Sequence, residues 1–225
     1  FAATVLGEGI YDLDDMADSL GKPFRTQDAL IIKKCPCCGS NHAMLDSLFS
    51  LMRDNDFGVD DVANAEIDQS YYSVVMLYQE PEDELKGKFS AKYNVAAALV
   101  DGEVKVDTFT QEKIGDPVIN EAMGKVRTRV MAKSEELQTE AADGLKVKIT
   151  LKDGRVFEHM TARADILGSQ ENPWGFDAIK SKFRENVALV LNDEGINDAV
   201  AAWSDIPDVT NVAELVRSTL VANKT

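Results

Sequence analysis

The sequence lacks any long hydrophobic run and carries little positive charge. No stretch approaches the roughly 20 apolar residues that a membrane-spanning helix needs, and the first 20 residues show no pattern of a secretory signal. The chain has 39 acidic and 24 basic residues, which gives a formal net charge of −15. Proteins that bind nucleic acid or anionic lipid need a basic surface. We therefore expect neither a nucleic acid nor a membrane as a partner.

Cysteine and histidine are scarce as well, with three and two residues. Cys35, Cys37 and Cys38 share one stretch, and His42 follows four residues later. A C-x-x-C beside a histidine is typical of a zinc site or of a redox dithiol at the start of a helix. A structural zinc site usually draws on two separated ligand pairs, and the sequence has no second pair. We expect no metal and no cofactor, and we keep a thiol-redox module as an alternative.

The thiols also bear on location. An odd number of cysteines without a secretory signal is typical of a reducing compartment, so we expect a cytoplasmic protein in which the thiols are small buried groups of a tight turn. The sequence begins in mid-pattern at Phe1, without an initiator Met. We therefore expect it to be one part of a longer protein.

Helical spacing of apolar residues recurs along the chain. It predicts a short helix over residues 8–20, a second helix with an apolar stripe over residues 45–52, and further helices from residue 172 onward. Ser90 is a candidate N-cap for a helix that ends at Asp101–Gly102. A last short helix is predicted over Pro117–Gly124, with Val118, Ile119 and Met123 facing inward.

Strand patterns fill most of the remaining middle of the chain. Residues 28–34 form a short apolar run suited to a buried strand or an extended approach, and residues 65–79 are rich in β-forming residues. Apolar and polar residues alternate near residues 126–132, 145–151 and 155–162, and Lys152–Asp153–Gly154 is typical of a hairpin turn. The predicted fold class is mixed α/β (α+β), with a small sheet, packed helices and C-terminal helices.

Three segments resemble motifs of the MmgE/PrpD family. Ile32–Gly39 (I-K-K-C-P-C-C-G), followed by Asn41–His42 and Leu45–Asp46, resembles the family's "I-K-x-Y-P-C-C-G … T-H … I-D-A" segment. Phe89–Leu99 is similar to its "F-S-x-x-Y-x-V-A-x-A-L" helix, and residues 168–185 resemble its late "G-x-P-x-N-P-x-S … V-x-x-K-F" segment. The three segments occur in the family's order and span most of the chain.

The resemblance implies a domain organisation and a class of substrate. The family includes 2-methylcitrate dehydratases, cis-aconitate decarboxylases and iminodisuccinate epimerases, which act on small di- or tricarboxylates and are typically metal-free homodimers. Residues 1–24 would lead in from an N-terminal helical domain, residues 25–166 would form a lid domain, and residues 167–225 would return to the helical domain. The implied partners are a small di- or tricarboxylate, the N-terminal helical domain of the same protein and a second copy.

The resemblance also implies roles for five residues. Lys33 would be catalytic, since an ammonium group can pair with a substrate carboxylate or donate a proton, and His42 would relay protons. Tyr93, Ser90 and Cys38 would contact the substrate. On the residues alone, Lys33 also fits a surface lysine, His42 a structural group at a helix start, and Tyr93 a core aromatic.

The chain departs from the family pattern beside the predicted site. Cys35 replaces the common tyrosine before Pro36, Asn41 replaces threonine, and Cys38 stands where the decarboxylase branch can carry a histidine. These departures lower the rank of decarboxylation. We therefore predict a hydro-lyase acting on a 2-methylcitrate-like substrate, with an epimerase or isomerase, a decarboxylase and the thiol-redox module as alternatives.

Overall fold

The computed structural model describes residues 12–22, 30–69, 78–132, 145–204, 206 and 209–220. Its centre is a four-stranded mixed sheet formed by β1 (Val62–Gln69), β2 (Val126–Val130), β3 (Leu145–Leu151) and β4 (Val156–Thr161). The strand order is β2-β1-β3-β4, with β1 and β2 parallel and the other neighbouring pairs antiparallel. Lys152–Gly154 connects β3 to β4 as predicted, and Gly154 has a positive φ of 90°.

Nine α-helices lie within the described ranges. They are α1 (Leu13–Asp18), α2 (His42–Asp54), α3 (Glu84–Lys88), α4 (Ala91–Asp101), α5 (Gln111–Ile114), α6 (Pro117–Gly124), α7 (Phe176–Val187), α8 (Asp193–Ser204) and α9 (Val212–Leu220). Three short 3-10 turns cover Gly39–Asn41, Asp107–Phe109 and Arg163–Asp165. Helices and a mixed sheet share one core, which confirms the α+β fold class. No helix in the described ranges is long and apolar enough to cross a membrane.

The core forms where α2 and α4 pack against one face of the sheet and α6 packs against α4. α4 is almost entirely enclosed, because its alanines allow close approach while Tyr93, Val95 and Leu99 fill the space between elements. Ser90 caps this helix by accepting a hydrogen bond from the Tyr93 N–H at 3.1 Å, and Gly102 ends it with a φ of 75°. Both helix ends therefore lie where the sequence predicted them.

The opposite face of the sheet carries an alternating set of charges. Arg127 and Arg129 are exposed on β2, and the Arg129 guanidinium lies 3.0 Å from the Asp68 carboxylate. On the next strands Lys148 pairs with Glu66 at 2.8 Å. Exposed pairs of this kind contribute little stability, so these charges serve mainly to keep the face solvated.

Of the two alternatives for residues 28–34, the buried strand is not found where the run is described, because Leu30 is 65% exposed and the backbone there belongs to no strand. One detail of the predicted core is wrong. Val118 on α6 is 53% exposed, whereas Ile119 and Met123 face inward as expected. Ile119 and Met123, four residues apart, share one face of α6, and Val118 lies about 100° around the helix from Ile119. The predicted division at residues 24 and 166 stays a prediction.

Candidate active site

The stretch of Cys35–Cys38, which we term the CPCC turn, is held in place by His42. The Cys35 N–H donates to His42 Nε2 at 3.4 Å, and His42 Nδ1 lies 3.2 Å from the Cys38 carbonyl oxygen. Both bonds are satisfied together when Nδ1 carries the proton and Nε2 is the acceptor. His42 is 2% exposed at the first position of α2. The imidazole therefore braces the CPCC turn from within.

The surroundings of His42 favour its neutral form. Burial lowers the pKa of the imidazole below its ordinary value, and the nearby Lys33 ammonium acts in the same direction, whereas the Cys38 carbonyl and the Asp46 carboxylate oppose it. A second proton would also set an N–H of the ring against the Cys35 N–H. Since both ring nitrogens are engaged with backbone, the proton relay predicted for His42 stays a prediction.

Lys33 lies on the exposed side of the same turn. Its Nζ donates to the Cys37 carbonyl at 3.1 Å, which fixes the ammonium group beside the CPCC turn. An ammonium group has three N–H donors, so two remain for another acceptor. The anion-binding and catalytic roles that the resemblance implied for Lys33 stay predictions.

The three thiols are free, and two of them are deeply buried. Burial raises the pKa of Cys35 to about 11 and raises the pKa of Cys37 as well. Both are therefore protonated at neutral pH, whereas a redox dithiol needs a lowered thiol pKa. Cys38 is half-buried, and its N–H donates to the Lys88 carbonyl at 3.0 Å. Of the three thiols, Cys38 is the most accessible to a substrate beside Lys33.

Ser90 and Tyr93 lie behind the CPCC turn, with their hydroxyl groups engaged. Both residues are fully buried. The Tyr93 hydroxyl donates to the Thr108 carbonyl at 2.6 Å, and burial raises its pKa above the ordinary value. Since the Ser90 hydroxyl caps α4, both hydroxyl groups already have partners, and the substrate contacts predicted for Ser90 and Tyr93 stay predictions. The structure brings Lys33, Cys38 and His42 together and directs the Tyr93 hydroxyl into the core.

Sequence reasoning gave no role to Asp46, which anchors α2 to the loop after β4. Its Oδ2 accepts the Leu167 N–H at 3.0 Å, and burial raises the pKa of the carboxyl group. Beside it, Ile32 donates its N–H to the Gly168 carbonyl at 2.9 Å. Gly168 has a φ of 93°, and a Cβ there would collide with the Ile32 carbonyl oxygen. The two contacts fix the segment that carries Lys33. The only sequence signal for them was the position of Asp46 within the family motif.

Lys34, next in sequence, lines a large cleft that does not include Lys33. This cleft, which we term the Lys34 cleft, has a volume of about 1010 Å³ and lies between α2, the loop at residues 102–107 and α7. Within the ranges that the structure describes, no group of three or more His, Cys, Asp or Glu side chains converges to hold a metal ion.

Comparison with known proteins agrees with the motifs. A model of the MmgE/PrpD C-terminal domain matches residues 35–205. The cis-aconitate decarboxylase of Mus musculus is 26% identical over 140 residues, which cover 61% of this chain and 27% of that protein. The cis-aconitate decarboxylase of Homo sapiens is 25% identical over 136 residues, which cover 60% of this chain and again 27% of that protein. The chain therefore spans about a quarter of the length of these curated relatives. Because the family match covers most of the chain, the chain belongs to the MmgE/PrpD family.

Proposed function

We propose that this chain supplies the lid-domain wall of an active site in a lyase that dehydrates a small, 2-methylcitrate-like tricarboxylate. The observation that carries the proposal is the family match over residues 35–205. It is supported by the position of Lys33, whose ammonium group lies on the exposed side of the CPCC turn and uses one donor on the Cys37 carbonyl. The two remaining donors fit a substrate carboxylate.

Dehydration requires two bonds to break. A base removes a proton from the carbon next to a carboxylate, and the hydroxyl group of the neighbouring carbon leaves as water after taking up a proton. Lys33 holds a carboxylate or protonates the leaving hydroxyl group, and Cys38 lines the same face. The base would come from the N-terminal helical domain of the same protein, so that the cleft between the domains encloses the substrate. The family resemblance further suggests a homodimer.

Decarboxylation is the second candidate, because both curated relatives are named cis-aconitate decarboxylases. In that reaction a carbon–carbon bond breaks, CO₂ leaves, and the electron pair left on carbon takes up a proton. Lys33 would then pair with a retained carboxylate or supply that proton. We place this reaction second because Cys38 occupies a position where the decarboxylase branch can carry a histidine.

The test uses the natural polypeptide that carries this sequence. Purified protein is offered 2-methylcitrate, citrate, cis-aconitate and iminodisuccinate, and the products are followed as a new carbon–carbon double bond, as released CO₂ or as inverted configuration. We expect dehydration of a tricarboxylate. CO₂ release would establish the second candidate, and no turnover of any of the four acids would overturn the proposal.

Lys33→Ala tests the proposed role of the ammonium group. We expect kcat/KM to fall by about a hundredfold or more, since losing a charged contact in the transition state costs roughly 3 kcal/mol. Lys152→Ala, in the exposed turn between β3 and β4, is the matched control and should leave kcat/KM unchanged. Near-normal turnover in Lys33→Ala would remove Lys33 from the mechanism without touching the family assignment.

A further inference from the structure

The Lys34 cleft is shaped as a ligand site. Its volume of about 1010 Å³ lies at the upper end of the range of roughly 300–1,000 Å³ for small-molecule sites. Its walls include the apolar side chains of Phe49, Met52, Val104, Leu167, Trp174 and Leu189. Two of these are aromatic rings, and the first two come from α2. Such walls favour a ligand with an apolar body.

Charge is divided unevenly along the cleft. At the end formed by residues 103–107, Lys105 pairs with Glu103 at 2.8 Å, and this contact raises the pKa of Lys105 together with the more distant carboxylates of Glu185 and Asp107. Negative charge therefore surrounds Lys105. Arg53, also in the lining, is bound to the Asp54 carboxylate at 3.0 Å. These two cations are already neutralised by acidic neighbours.

The lining also contains two lysines without an ion pair of this kind. Lys182 on α7 donates its Nζ to the Lys34 carbonyl at 3.1 Å, so its ammonium group lies against the Lys34 backbone. The Lys34 ammonium group lies 4.4 Å from the centre of the Phe49 ring. Within the described part of the chain, neither lysine forms an ion pair with a carboxylate, and Lys34 interacts electrostatically with the more distant carboxyl group of Asp46. Positive charge thus borders an apolar wall of the cleft.

We propose that the Lys34 cleft binds an amphipathic carboxylate, whose acid group pairs with Lys34 and Lys182 and whose apolar body lies along Phe49 and Met52. One carboxylate suits the two lysines, since it accepts up to four hydrogen bonds and both side chains line the same cleft. A compact polycarboxylate fits less well, because its further charges would lie against the apolar wall or approach Glu103, Asp107 and Glu185, and both placements are unfavourable.

The test measures binding of 2-naphthoate to the natural polypeptide by isothermal titration calorimetry, with 2-naphthalenemethanol and citrate as comparison ligands. We expect one saturable site for 2-naphthoate. The neutral alcohol, which has the same rings without the charge, should bind about tenfold more weakly, and citrate should bind more weakly still. The alcohol should bind more weakly because a hydrogen bond to a charged group contributes about a factor of ten to affinity. Citrate should bind more weakly because its further charges would lie against the apolar wall or near acidic side chains.

Three lysine replacements locate the site. Lys34→Met and Lys182→Met keep the aliphatic stem and remove the charge, and each should weaken 2-naphthoate about tenfold. Lys180→Met is the matched control, because Lys180 lies on the same helix above the Phe176 ring and outside the cleft lining; its affinity should be unchanged. Lys182→Arg keeps the charge and should retain binding.

Several outcomes overturn the proposal. They are no saturable binding of 2-naphthoate at about 1 mM, equal binding of the neutral alcohol, tighter binding of citrate, or equal losses in Lys180→Met and Lys182→Met. Circular dichroism of each variant separates loss of the site from loss of the fold. Because the measurement is of binding, it stands whether or not the polypeptide is a lyase.

Discussion

Helix α4, in the core beside the sheet, and helix α7, the first of the C-terminal helices, bury their residues to very different extents. In α4 the stretch from Tyr93 to Leu99 is buried without interruption. None of the twelve residues of α7, which the structure describes throughout, is buried, and Leu189 just beyond it is 65% exposed. Both segments have helix-forming sequences. The difference shows that a helical pattern does not by itself determine how much of a helix the described residues cover.

This difference has an energetic consequence. Fully burying a leucine side chain stabilises a fold by about 1.5–3 kcal/mol, and α2, α4 and the sheet gain this repeatedly. Helix α7 gains little of this stabilisation from the described residues. One of its contacts with them is the hydrogen bond from Lys182 to the Lys34 carbonyl. Large-to-small replacements in the sheet, α2 and α4, which together we term the sheet domain, should therefore destabilise the fold far more than replacements in α7.

The largest effect is expected from a matched pair of leucines. Leu48 on α2 is fully buried, so Leu48→Ala should cost about 2–5 kcal/mol in the free energy of unfolding. Leu189→Ala should cost less than about 0.5 kcal/mol, because exposed positions tolerate truncation. Urea unfolding of the natural polypeptide measures both. A loss at Leu189 as large as that at Leu48 would mean that residues beyond the described ranges cover it, and the contrast between the regions would disappear.

The same contrast explains how much of the fold could be predicted. Ser90, Gly102 and Gly154 act locally, through a cap, a left-handed helix end and a hairpin turn, and their positions in the sequence were sufficient. Val118 depends on what packs against it, and hydrophobicity alone placed it inside. Periodicity predicts which residues share a face, whereas tertiary packing decides whether that face is covered.

The candidate site was predictable in the same partial way. The motif predicted that Lys33, Cys38 and His42 lie near one another, because they are close in sequence. It could not reveal that both nitrogens of His42 bind backbone, or that the Tyr93 hydroxyl donates to Thr108. The Lys34 cleft was missed because its walls come from three segments, at residues 34–53, 102–107 and 167–189, that are far apart in sequence.

The next effect concerns the contact between Ile32 and Gly168, which connects the segment before α2 to the loop after β4. Gly168 and Gly154 both have positive φ, so alanine at either position costs about 1–3 kcal/mol in backbone strain. Only at Gly168 would the new Cβ also collide with the Ile32 carbonyl; at Gly154 it would meet open space. Gly168→Ala should therefore unfold at lower urea concentration than Gly154→Ala. Equal midpoints would show that the collision with the Ile32 carbonyl adds nothing to the cost of alanine at Gly168.

The smallest effect is a pH dependence confined to the sheet domain, which holds both histidines of the chain. Unfolded His42 titrates near its ordinary pKa of 6.5, and folding lowers that pKa. Between the two values the unfolded state binds more protons, so stability is complete above pH 6.5 and falls as the pH drops below it. The loss should approach about 1.4 kcal/mol per pH unit. Hydrogen exchange at pH 7.5 and 5.5, corrected for the intrinsic rate, should show it in α2 and not in α7.

Two variants assign this loss to His42. His42→Gln removes the titrating ring, so the unfolding free energy should change less between pH 7.5 and 5.5. The unfolding free energy should nevertheless be lower at both pH values, because a buried hydrogen bond to the CPCC turn is lost.

Asp46→Asn tests the neighbouring carboxyl group, whose folded pKa is raised. Its contribution has the opposite sign, because stability falls as the pH rises above 3.8 towards the folded pKa. The Asp46→Asn variant should therefore still lose stability as the pH falls below 6.5. An unchanged pH dependence in His42→Gln would mean that the imidazole is not responsible, and the neutral His42 brace would have to be abandoned.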